Sequence, residues 1–293
     1  MTTATAVRAR LGTDEIPRTL FDYEVLDFLG EGAGSLIYVV ANPDTHQIYA
    51  MKHVRKRRDK DVRFFEQLET EYDVSRQFTH AALRRSLEYR DNRTLFRKAT
   101  EAALVLELFD GMSLEARRPE DVVRTLSIFQ HVAQGLASLH ALGYAHCDLK
   151  PNNILVNNEG EVRIIDFGQA CKLGTVKDRI QGTPDFIAPE QVRCQPVTAR
   201  TDVFNFGATL YWTLTGQPIP TLYTLKKDEN SFLVDEQITP PSQLNAAVPE
   251  PLSNLVMECI RTNPLRRPTD MVELARRLEI VQHVAARRSA AVA

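Results

Sequence analysis

The sequence predicts an α+β protein with two lobes, in which a small β-rich part precedes a larger helical part. Within residues 21–109, short runs rich in Val, Ile, Tyr and Phe are separated by turn formers such as Asn42-Pro43-Asp44, a pattern that favours strands. Beyond residue 118, apolar residues recur at three- and four-residue steps, which favours helices. With 43% apolar side chains in 293 residues, the chain has enough apolar material for a sizeable core.

The first lobe is predicted to contain strands at 21–30, 36–41 and 48–54 and one helix at about 62–78. The clearest helix of the second lobe is 119–142, because its apolar residues form a single stripe and Gly143 is a good terminator. We expect a flexible arm at 1–19, the first lobe at 20–109, the second lobe at 110–285 and a tail at 286–293. A ligand cleft between two such lobes is a reasonable expectation.

Composition excludes several classes of protein. Acidic side chains number 38 and basic ones 36, which gives a formal net charge of −2. This balance argues against a disordered chain and against a highly basic nucleic-acid coat, so no specific nucleic-acid partner is expected. The sequence indicates no particular oligomeric state.

The chain also has no segment suited to a membrane. Its longest dense apolar run is 102–109, which Glu107 interrupts, whereas a membrane span needs about 18 apolar residues. Residues 1–10 lack the apolar centre of a secretory signal, and the four cysteines do not form a disulfide framework. We therefore expect a cytoplasmic protein with reduced thiols.

Two features of the first lobe are suited to phosphate binding. The first is a glycine-rich run between two predicted strands, made of Gly30, Glu31, Gly32, Ala33, Gly34 and Ser35. Glycines allow tight turns and close backbone approach to phosphates, although a run like this is more often a simple hairpin turn. The second is Lys52, which apolar residues flank in the following strand. A strand lysine is usually exposed, but this one could point into a cleft.

Two further motifs lie after the clearest helix. The segment 146–156 carries Asp148, Lys150 and Asn153, which could accept a hydroxyl proton, stabilise a transferring phosphoryl group and bind a metal. At 162–168, Asp166 ends an apolar strand and precedes Phe167-Gly168, an arrangement that suits a hard cation such as Mg²⁺. Each motif alone is also compatible with an ordinary polar loop.

In this order and spacing, the four motifs resemble those of the eukaryotic-type Ser/Thr protein kinases. Ala188-Pro189-Glu190, the segment 201–207 and the segment 263–269 resemble later motifs of the same family, and the likeness covers roughly residues 21–281. Several features are closer to bacterial members. The resemblance implies a bilobal kinase fold with ATP and Mg²⁺ as cofactors and a protein substrate.

The resemblance also implies roles for particular residues. Lys52 should contact phosphates and pair with a glutamate of the first-lobe helix; Glu66, Glu69 and Glu71 compete, and Glu71 is favoured because it follows Lys52 by 19 positions. Asp148 should orient and deprotonate the substrate hydroxyl with help from Lys150, and Asn153 and Asp166 should hold Mg²⁺. The glycine-rich run should cover the nucleotide, together with an adenine pocket and hinge formed by Leu29, Ile37, Ala50, Leu106, Glu107, Phe109 and Leu155.

Other carried-over roles concern the substrate and the scaffold. Lys150 lies two positions after Asp148, and Thr183 should contact both in the substrate-docking loop, a pattern that implies Ser and Thr as acceptors. Glu190 should pair with Arg267, and Asp202 should brace the catalytic loop.

The sequence departs from the family mildly at Ser35, which stands where a third loop glycine is common, and more strongly at three other positions. Ser75 falls where a bulky apolar residue usually stacks above Phe167. Cys147 and Cys171 replace the two basic residues that usually bind an activation-loop phosphate, so activity should not depend on that phosphate. The cysteines are either a small apolar substitute for the charged pocket or a candidate redox pair.

Three functional hypotheses follow. The leading one is an active Ser/Thr protein kinase. The second is a nucleotide-binding, pseudokinase-like scaffold, supported by Ser75 and the two cysteines. The third is a small-molecule phosphotransferase, against which Lys150, the segment 188–190 and Arg267 argue.

Overall fold

The computed structural model describes residues 16–32, 34–58, 61–93, 99–224 and 234–292. The expected arm at 1–19 therefore lies largely outside the described residues, as does Ala33 of the glycine-rich run. The chain divides into two units: Met1–Phe78 with Arg84–Asp110, and Thr79–Leu83 with Gly111–Ala293.

Among the residues that the structure describes, the first unit contains a six-stranded antiparallel sheet and one helix. The strand order is β1-β2-β3-β4-β6-β5. The elements are β1 (Thr19–Leu20), β2 (Tyr23–Gly32), β3 (Ser35–Ala41), β4 (Ile48–Arg55), α1 (Val62–Ser75), β5 (Ser86–Arg93) and β6 (Ala99–Glu107).

Alternation along the strands gives this sheet two apolar faces. On β6, Ala103 and Val105 join one buried cluster, whereas Ala102, Leu104 and Leu106 join the other. Helix α1 covers the second face through Phe65 and Leu68 and the residues around them. Lys52 has the same parity on β4 as Ala50 and Val54, both of which belong to the face that α1 covers.

The second unit is mainly helical, as the sequence predicts. Its helices are α2 (Val122–Ala141), α3 (Pro189–Val192), α4 (Ala199–Thr215), α5 (Val234–Gln237), α6 (Pro241–Leu244), α7 (Glu250–Cys259) and α8 (Met271–Val292). Its strands are β7 (Met112–Ser113), β8 (Tyr144–Ala145), β9 (Ile154–Val156), β10 (Val162–Ile164) and β11 (Cys171–Lys172). Short 3₁₀ turns occur at Pro151–Asn153 and Pro264–Arg266. The α+β prediction is confirmed.

Three predicted boundaries are wrong. The helix predicted at 119–142 starts at Val122, because Asp121 caps its first turn. The strand predicted at 21–30 starts at Tyr23, because Phe21 and Asp22 adopt left-handed φ values of 48° and 69° and turn the chain between β1 and β2. The helix predicted at 62–78 ends at Ser75, where Gln77 and Phe78 make hydrogen bonds of shorter range than those of an α-helix. The glycine-rich run is also more strand-like than a simple turn, since β2 continues to Gly32 and β3 starts at Ser35.

The short strands of the second unit position its polar loops. Strands β10, β9 and β7 form one antiparallel sheet, and β11 pairs with β8. Helix α2 begins with the Asp121 side chain accepting a hydrogen bond from the Arg124 amide and ends before Gly143, which has a φ of 84°. Among the helices that the structure describes, none has both the length and the apolar character of a membrane span.

Candidate active site

Lys52 and Glu71 form an ion pair inside the first unit. Lys52 Nζ donates a 2.6 Å hydrogen bond to Glu71 Oε2, and the Glu71 side chain is only 1% exposed. Of the three glutamates that the sequence offers, Glu66 and Glu69 are exposed, and Glu69 accepts a bond from Tyr89. A buried carboxylate of this kind fixes the lysine that we expect to meet phosphate.

Arg84 is a second cation near Glu71 that the sequence analysis missed. Its Nη2 lies 3.9 Å from Glu71 Oε1, and its side chain is 10% exposed. The glutamate therefore lies between two positive groups. The only signal for this contact would have been the burial of Arg84 just before β5. Burial cannot be read from the local sequence.

The glycine-rich run forms the hairpin between β2 and β3. Gly30 pairs with Ile37, Glu31 with Leu36 and Gly32 with Ser35. Gly34 has a φ of 87°, and a side chain there would meet the Phe64 ring at 2.4 Å, so this position requires glycine.

The residues expected at the adenine pocket and hinge are distributed over both units. Ala50 and Leu106 are direct partners across β4 and β6, and both are buried. Leu29 is 55% exposed on β2, whereas Glu107 closes β6 with Oε1 at 3.7 Å from Arg85 Nε. Ile37 lies on β3 and Phe109 follows β6, so these six residues all belong to the first unit. Leu155 lies on β9 in the second unit. Their joint role as a pocket remains a prediction.

Asp148, Lys150 and Thr183 form a closed polar triangle in the second unit. Lys150 Nζ donates to Asp148 Oδ2 at 3.0 Å and to Thr183 Oγ1 at 2.8 Å. The Thr183 hydroxyl in turn donates to Asp148 Oδ1 at 2.7 Å. Both carboxylate oxygens of Asp148 are thus hydrogen-bonded. These bonds fix the orientation that Asp148 needs in order to accept a proton.

Asn153 and Asp166 lie in two connected loops. The Asn153 side-chain nitrogen donates to the Asp148 carbonyl at 2.9 Å, and the Asn153 backbone carbonyl accepts from the Ile165 amide at 3.0 Å. Asp166 has a left-handed φ of 66°, a backbone that a non-glycine residue seldom adopts. With its side-chain nitrogen bound to the Asp148 carbonyl, Asn153 keeps its side-chain oxygen Oδ1 for a metal.

This donor set fits Mg²⁺. The ion usually takes one or two protein carboxylates or carbonyl oxygens and completes its shell with phosphate and water. One carboxylate and one amide oxygen meet that need. The part of the chain that the structure describes has no group of three or more His, Cys, Asp or Glu residues suited to a metal, and a site shared with phosphate does not require one.

Asp202 ties the loop 146–153, which is the predicted catalytic loop, to helix α4. Its Oδ1 accepts from the Cys147 amide at 2.9 Å, and its Oδ2 accepts from the His146 amide and from His140 Nε2, each at 2.8 Å. Burial alone would raise the pKa of Asp202, but the hydrogen bond and charge of His140, with the bond from Cys147, hold the pKa below its usual value. The sequence analysis missed His140, which lies in the helix preceding the loop.

Glu190 and Arg267 form a two-bond ion pair in the second unit. The Nη1–Oε1 and Nη2–Oε2 distances are 2.8 and 3.0 Å, and both side chains are at most 5% exposed. Arg267 also donates to the backbone carbonyls of Arg200, Arg261 and Thr262. Paired charges with this many bonds stabilise the segment that follows Thr183.

Cys147 and Cys171 lie side by side, with their Sγ atoms 3.6 Å apart and both thiols free. Cys147 is fully buried with Ala145 and Val197, and Cys171 packs against this cluster half-buried. The position next to Asp148 is therefore apolar and small.

Comparison with known proteins agrees with this geometry. The family model described as a protein kinase domain matches residues 23–284. The chain is 29% identical over 265 residues to the serine/threonine-protein kinase TIO of Arabidopsis thaliana, covering 85% of this chain and 19% of that protein. It is 31% identical over 234 residues to AtPK2/AtPK19 of the same plant, covering 77% and 48%. It is 28% identical over 269 residues to PknB of Mycolicibacterium smegmatis, covering 88% and 43%.

The chain belongs to the protein kinase domain family. It spans about a fifth to a half of the length of these curated relatives. The resemblance seen in the sequence is confirmed at the level of the family and its fold.

Proposed function

We propose that this chain is an ATP-dependent protein kinase that transfers the γ-phosphoryl group to Ser or Thr hydroxyls. The observation that carries the proposal is the triangle in which Lys150 and Thr183 hold both carboxylate oxygens of Asp148. An isolated acceptor in a polar loop would not need two side-chain donors. Membership of the kinase family and the similarity to serine/threonine-protein kinases support the same activity.

In this mechanism the chain contributes positioning and charge. Asp148 accepts the hydroxyl proton of the substrate as its oxygen attacks the γ-phosphorus, and ADP leaves. Lys150 stabilises the negative charge of the transferring phosphoryl group. Lys52, which Glu71 holds in place, binds phosphate oxygens. Asn153 and Asp166 would hold Mg²⁺, which neutralises phosphate charge when bound.

Thr183 and Lys150 also support Ser and Thr as acceptors. Both side chains lie within 3.0 Å of Asp148, so a substrate hydroxyl that reaches Asp148 must pass beside them. Their placement matches the Ser/Thr pattern that the family resemblance implies, so Ser and Thr are the proposed acceptors.

Independence from activation-loop phosphorylation is part of the proposal. A phosphate receptor requires cations, but Cys147 is buried in an apolar cluster with Ala145 and Val197. Gln191 Nε2 also donates a 2.7 Å hydrogen bond to the Cys147 carbonyl. Together with the apolar packing, this bond should order the activation segment, residues 166–190, without a phosphate.

The proposal includes the predicted organisation of the chain. The arm at 1–19, the lobes at 20–109 and 110–285 and the tail at 286–293 remain predictions, as does binding of the adenine by residues of both lobes. A cytoplasmic location remains a prediction as well; the four free cysteines support a reducing compartment.

The alternative of a nucleotide-binding scaffold rests on Ser75 and on the two cysteines, and Ser75 is the stronger observation. This serine is fully buried and bonded to Ser86 rather than packed as a bulky apolar residue. If that change disabled the site, the chain would bind ATP and Mg²⁺ without turnover.

An Asp148→Asn variant separates the two functions. We expect the unmodified chain to incorporate labelled phosphate from ATP and Mg²⁺ into serine and threonine of a generic protein substrate, and Asp148→Asn to lose that activity while still binding nucleotide. Asp44→Asn, an exposed turn residue, is the matched control and should keep full activity. Nucleotide binding without phosphate transfer by the unmodified chain would establish the scaffold instead.

A further inference from the structure

The strongest feature that the proposed reaction leaves unused is the thiol pair beside Asp148. Cys147 directly precedes this aspartate, and its Sγ lies 3.6 Å from Cys171 Sγ. Both thiols are free, and they come from segments 24 positions apart in sequence. Two cysteines in van der Waals contact can form a disulfide with each other, which neither can do alone.

Strand pairing brings the two thiols together. Antiparallel pairing of β11 with β8 places Cys171 opposite Ala145, two residues before Cys147. Cys147 then turns with a left-handed φ of 66°, and its side chain packs beside that of Cys171. A disulfide has an S–S bond of about 2.0 Å, so the sulfurs need to approach by only about 1.6 Å.

The surroundings give the two thiols different reactivity. The hydrogen bond with Cys147, together with the charge of Lys177 and a bond with Thr175, lowers the pKa of Cys171 to about 7 despite burial and the charge of Asp202. The same hydrogen bond, burial and Asp202 raise the pKa of Cys147. Cys171, the more exposed of the two, is therefore the thiolate that an oxidant meets first.

We propose that Cys147 and Cys171 are a redox modification site that closes to an intramolecular disulfide when a peroxide oxidises the protein. The Cys171 thiolate attacks a peroxide oxygen, the O–O bond breaks and hydroxide leaves, so that Cys171 becomes a sulfenic acid. The Cys147 sulfur attacks the Cys171 sulfur, the S–O bond breaks and the thiol proton leaves with hydroxide as water. Two electrons pass from the sulfurs to the peroxide, and a dithiol reductant returns them.

The hydrogen bonds of the Cys147 backbone determine how a disulfide at this position would affect Asp148. The Cys147 amide donates to Asp202 Oδ1 at 2.9 Å, and its carbonyl accepts from Gln191 Nε2 at 2.7 Å. Because the amide and the carbonyl of Cys147 are both hydrogen-bonded, any share of the approach that Cys147 makes toward Cys171 strains the turn that leads to Asp148. The triangle of Asp148, Lys150 and Thr183 depends on distances near 3 Å, so oxidation should lower phosphoryl transfer. This consequence rests on the proposed kinase activity; the disulfide itself does not.

The test treats the full chain with hydrogen peroxide under nondenaturing conditions and measures the disulfide and the activity separately. Intact mass should fall by two hydrogen atoms, and proteolysis without reductant should yield one linked peptide that contains Cys147 and Cys171. Kinase activity should fall at least roughly tenfold, as expected for a displaced catalytic group, and dithiothreitol should restore both mass and activity.

Variants identify the residues responsible. Cys171→Ser and, separately, Cys147→Ala should abolish the linked peptide and the peroxide sensitivity. The matched control is Cys194→Ser, because Cys194 is also partly exposed but has no thiol partner in this cluster. Cys171→Ser changes a half-buried side chain and tests the idea even if Cys147→Ala fails to fold.

The outcomes are distinguishable. Accumulation of sulfinic acid on Cys171 with no linked peptide would overturn the proposal, as would a linkage through Cys194. A disulfide that forms with no change of activity would overturn its control of phosphoryl transfer. If the reduced chain has no kinase activity, the proposed function fails, whereas the mass and peptide measurements still decide whether the disulfide forms.

Discussion

The hydroxyls of Ser75 and Ser86 hydrogen bond to each other inside the first unit and join helix α1 to strand β5. Both side chains are buried. Ser75 Oγ also donates to the carbonyl of Glu71 one helical turn earlier. Since a serine hydroxyl has one proton, Ser86 must be the donor to Ser75. A directional polar contact therefore holds the helix turn that carries Glu71, where the family usually has an apolar stack.

The order of these bonds predicts unequal effects of removing each serine. Ser75→Ala leaves the Ser86 hydroxyl buried without its acceptor, which should lower the free energy of unfolding by about 1–3 kcal/mol. Ser86→Ala leaves Ser75 bonded to Glu71 and should cost less. The double variant should cost less than the sum of the two, because no hydroxyl is left unpaired. Urea unfolding of the four proteins gives the coupling; strictly additive effects would contradict the paired hydroxyls.

Removing the charge of Glu71 should both destabilise the first unit and weaken nucleotide binding. Glu71→Gln leaves Lys52 and Arg84 near each other without a carboxylate between them. Breaking a buried ion pair typically costs about 3–5 kcal/mol, and we expect a loss of unfolding free energy near the lower value, with a raised KM for ATP. Urea unfolding and ATP titration measure the two effects.

Glu69→Gln is the matched control for this change, because Glu69 lies on the same helix with an exposed side chain. It should alter neither quantity appreciably. Equal effects of the two substitutions would mean that Glu71 has no special role.

The sequence could predict Glu71 but not the serine pair, and the difference is physical. Charge complementarity leaves three glutamates of the helix as partners for Lys52, and the 19-position spacing that the family resemblance implies favours Glu71. Ser75 meets Ser86 because α1 packs on the sheet and β5 then enters it beside β6, after an intervening connection. Neither serine has a local signal. Likewise, Cys171 reaches Cys147 only through the register that pairs it with Ala145.

The two-bond geometry of Arg267 predicts that lysine cannot replace it. Arg267→Lys keeps the charge but loses the second bond to Glu190 and the bonds to backbone carbonyls. We expect a loss of about 3 kcal/mol in unfolding free energy, since both partners are buried. Arg266→Lys, which changes the exposed neighbour, should be neutral. A stability of Arg267→Lys equal to that of the control, measured by urea unfolding, would rule out this role for the forked contact.

The hydrogen bond from His140 to Asp202 predicts a change in acid stability. Asp202 has a lowered pKa in the folded protein, so its contribution to stability is present above its usual pKa and is lost as the pH falls through the lowered value. His140→Ala removes the bond and the positive charge that lower this pKa. The acid unfolding midpoint should therefore move to higher pH, as circular dichroism would measure.

His131→Ala is the control for this prediction, because His131 is exposed on the same helix. Its acid midpoint should match that of the unmodified chain. A midpoint for His140→Ala that stays in place or moves to lower pH would show that His140 does not hold the Asp202 pKa down.

The hydroxyl of Thr183 should act as a positioning group for Asp148. Thr183→Val keeps the shape of the side chain but removes the 2.7 Å bond to Asp148 Oδ1 and the acceptor for Lys150. Without that bond, Lys150 is the one side chain among the described residues that still donates to the carboxylate, so we expect kcat with a protein substrate to fall by roughly 10- to 100-fold. The KM for ATP should stay nearly unchanged, because the lysine that we expect to bind phosphate is fixed by Glu71 in the other unit.

Thr183→Ser restores a hydroxyl at the same position and should recover most of the kcat, which a purely structural role would not require. Steady-state kinetics with ATP and the protein substrate varied in turn separate the two parameters, and circular dichroism checks that both variants fold. If Thr183→Val had the kcat of the unmodified chain, Lys150 alone would suffice to orient Asp148. If Thr183→Val and Thr183→Ser lost activity equally, the methyl packing of Thr183 rather than its hydrogen bonds would position the loop.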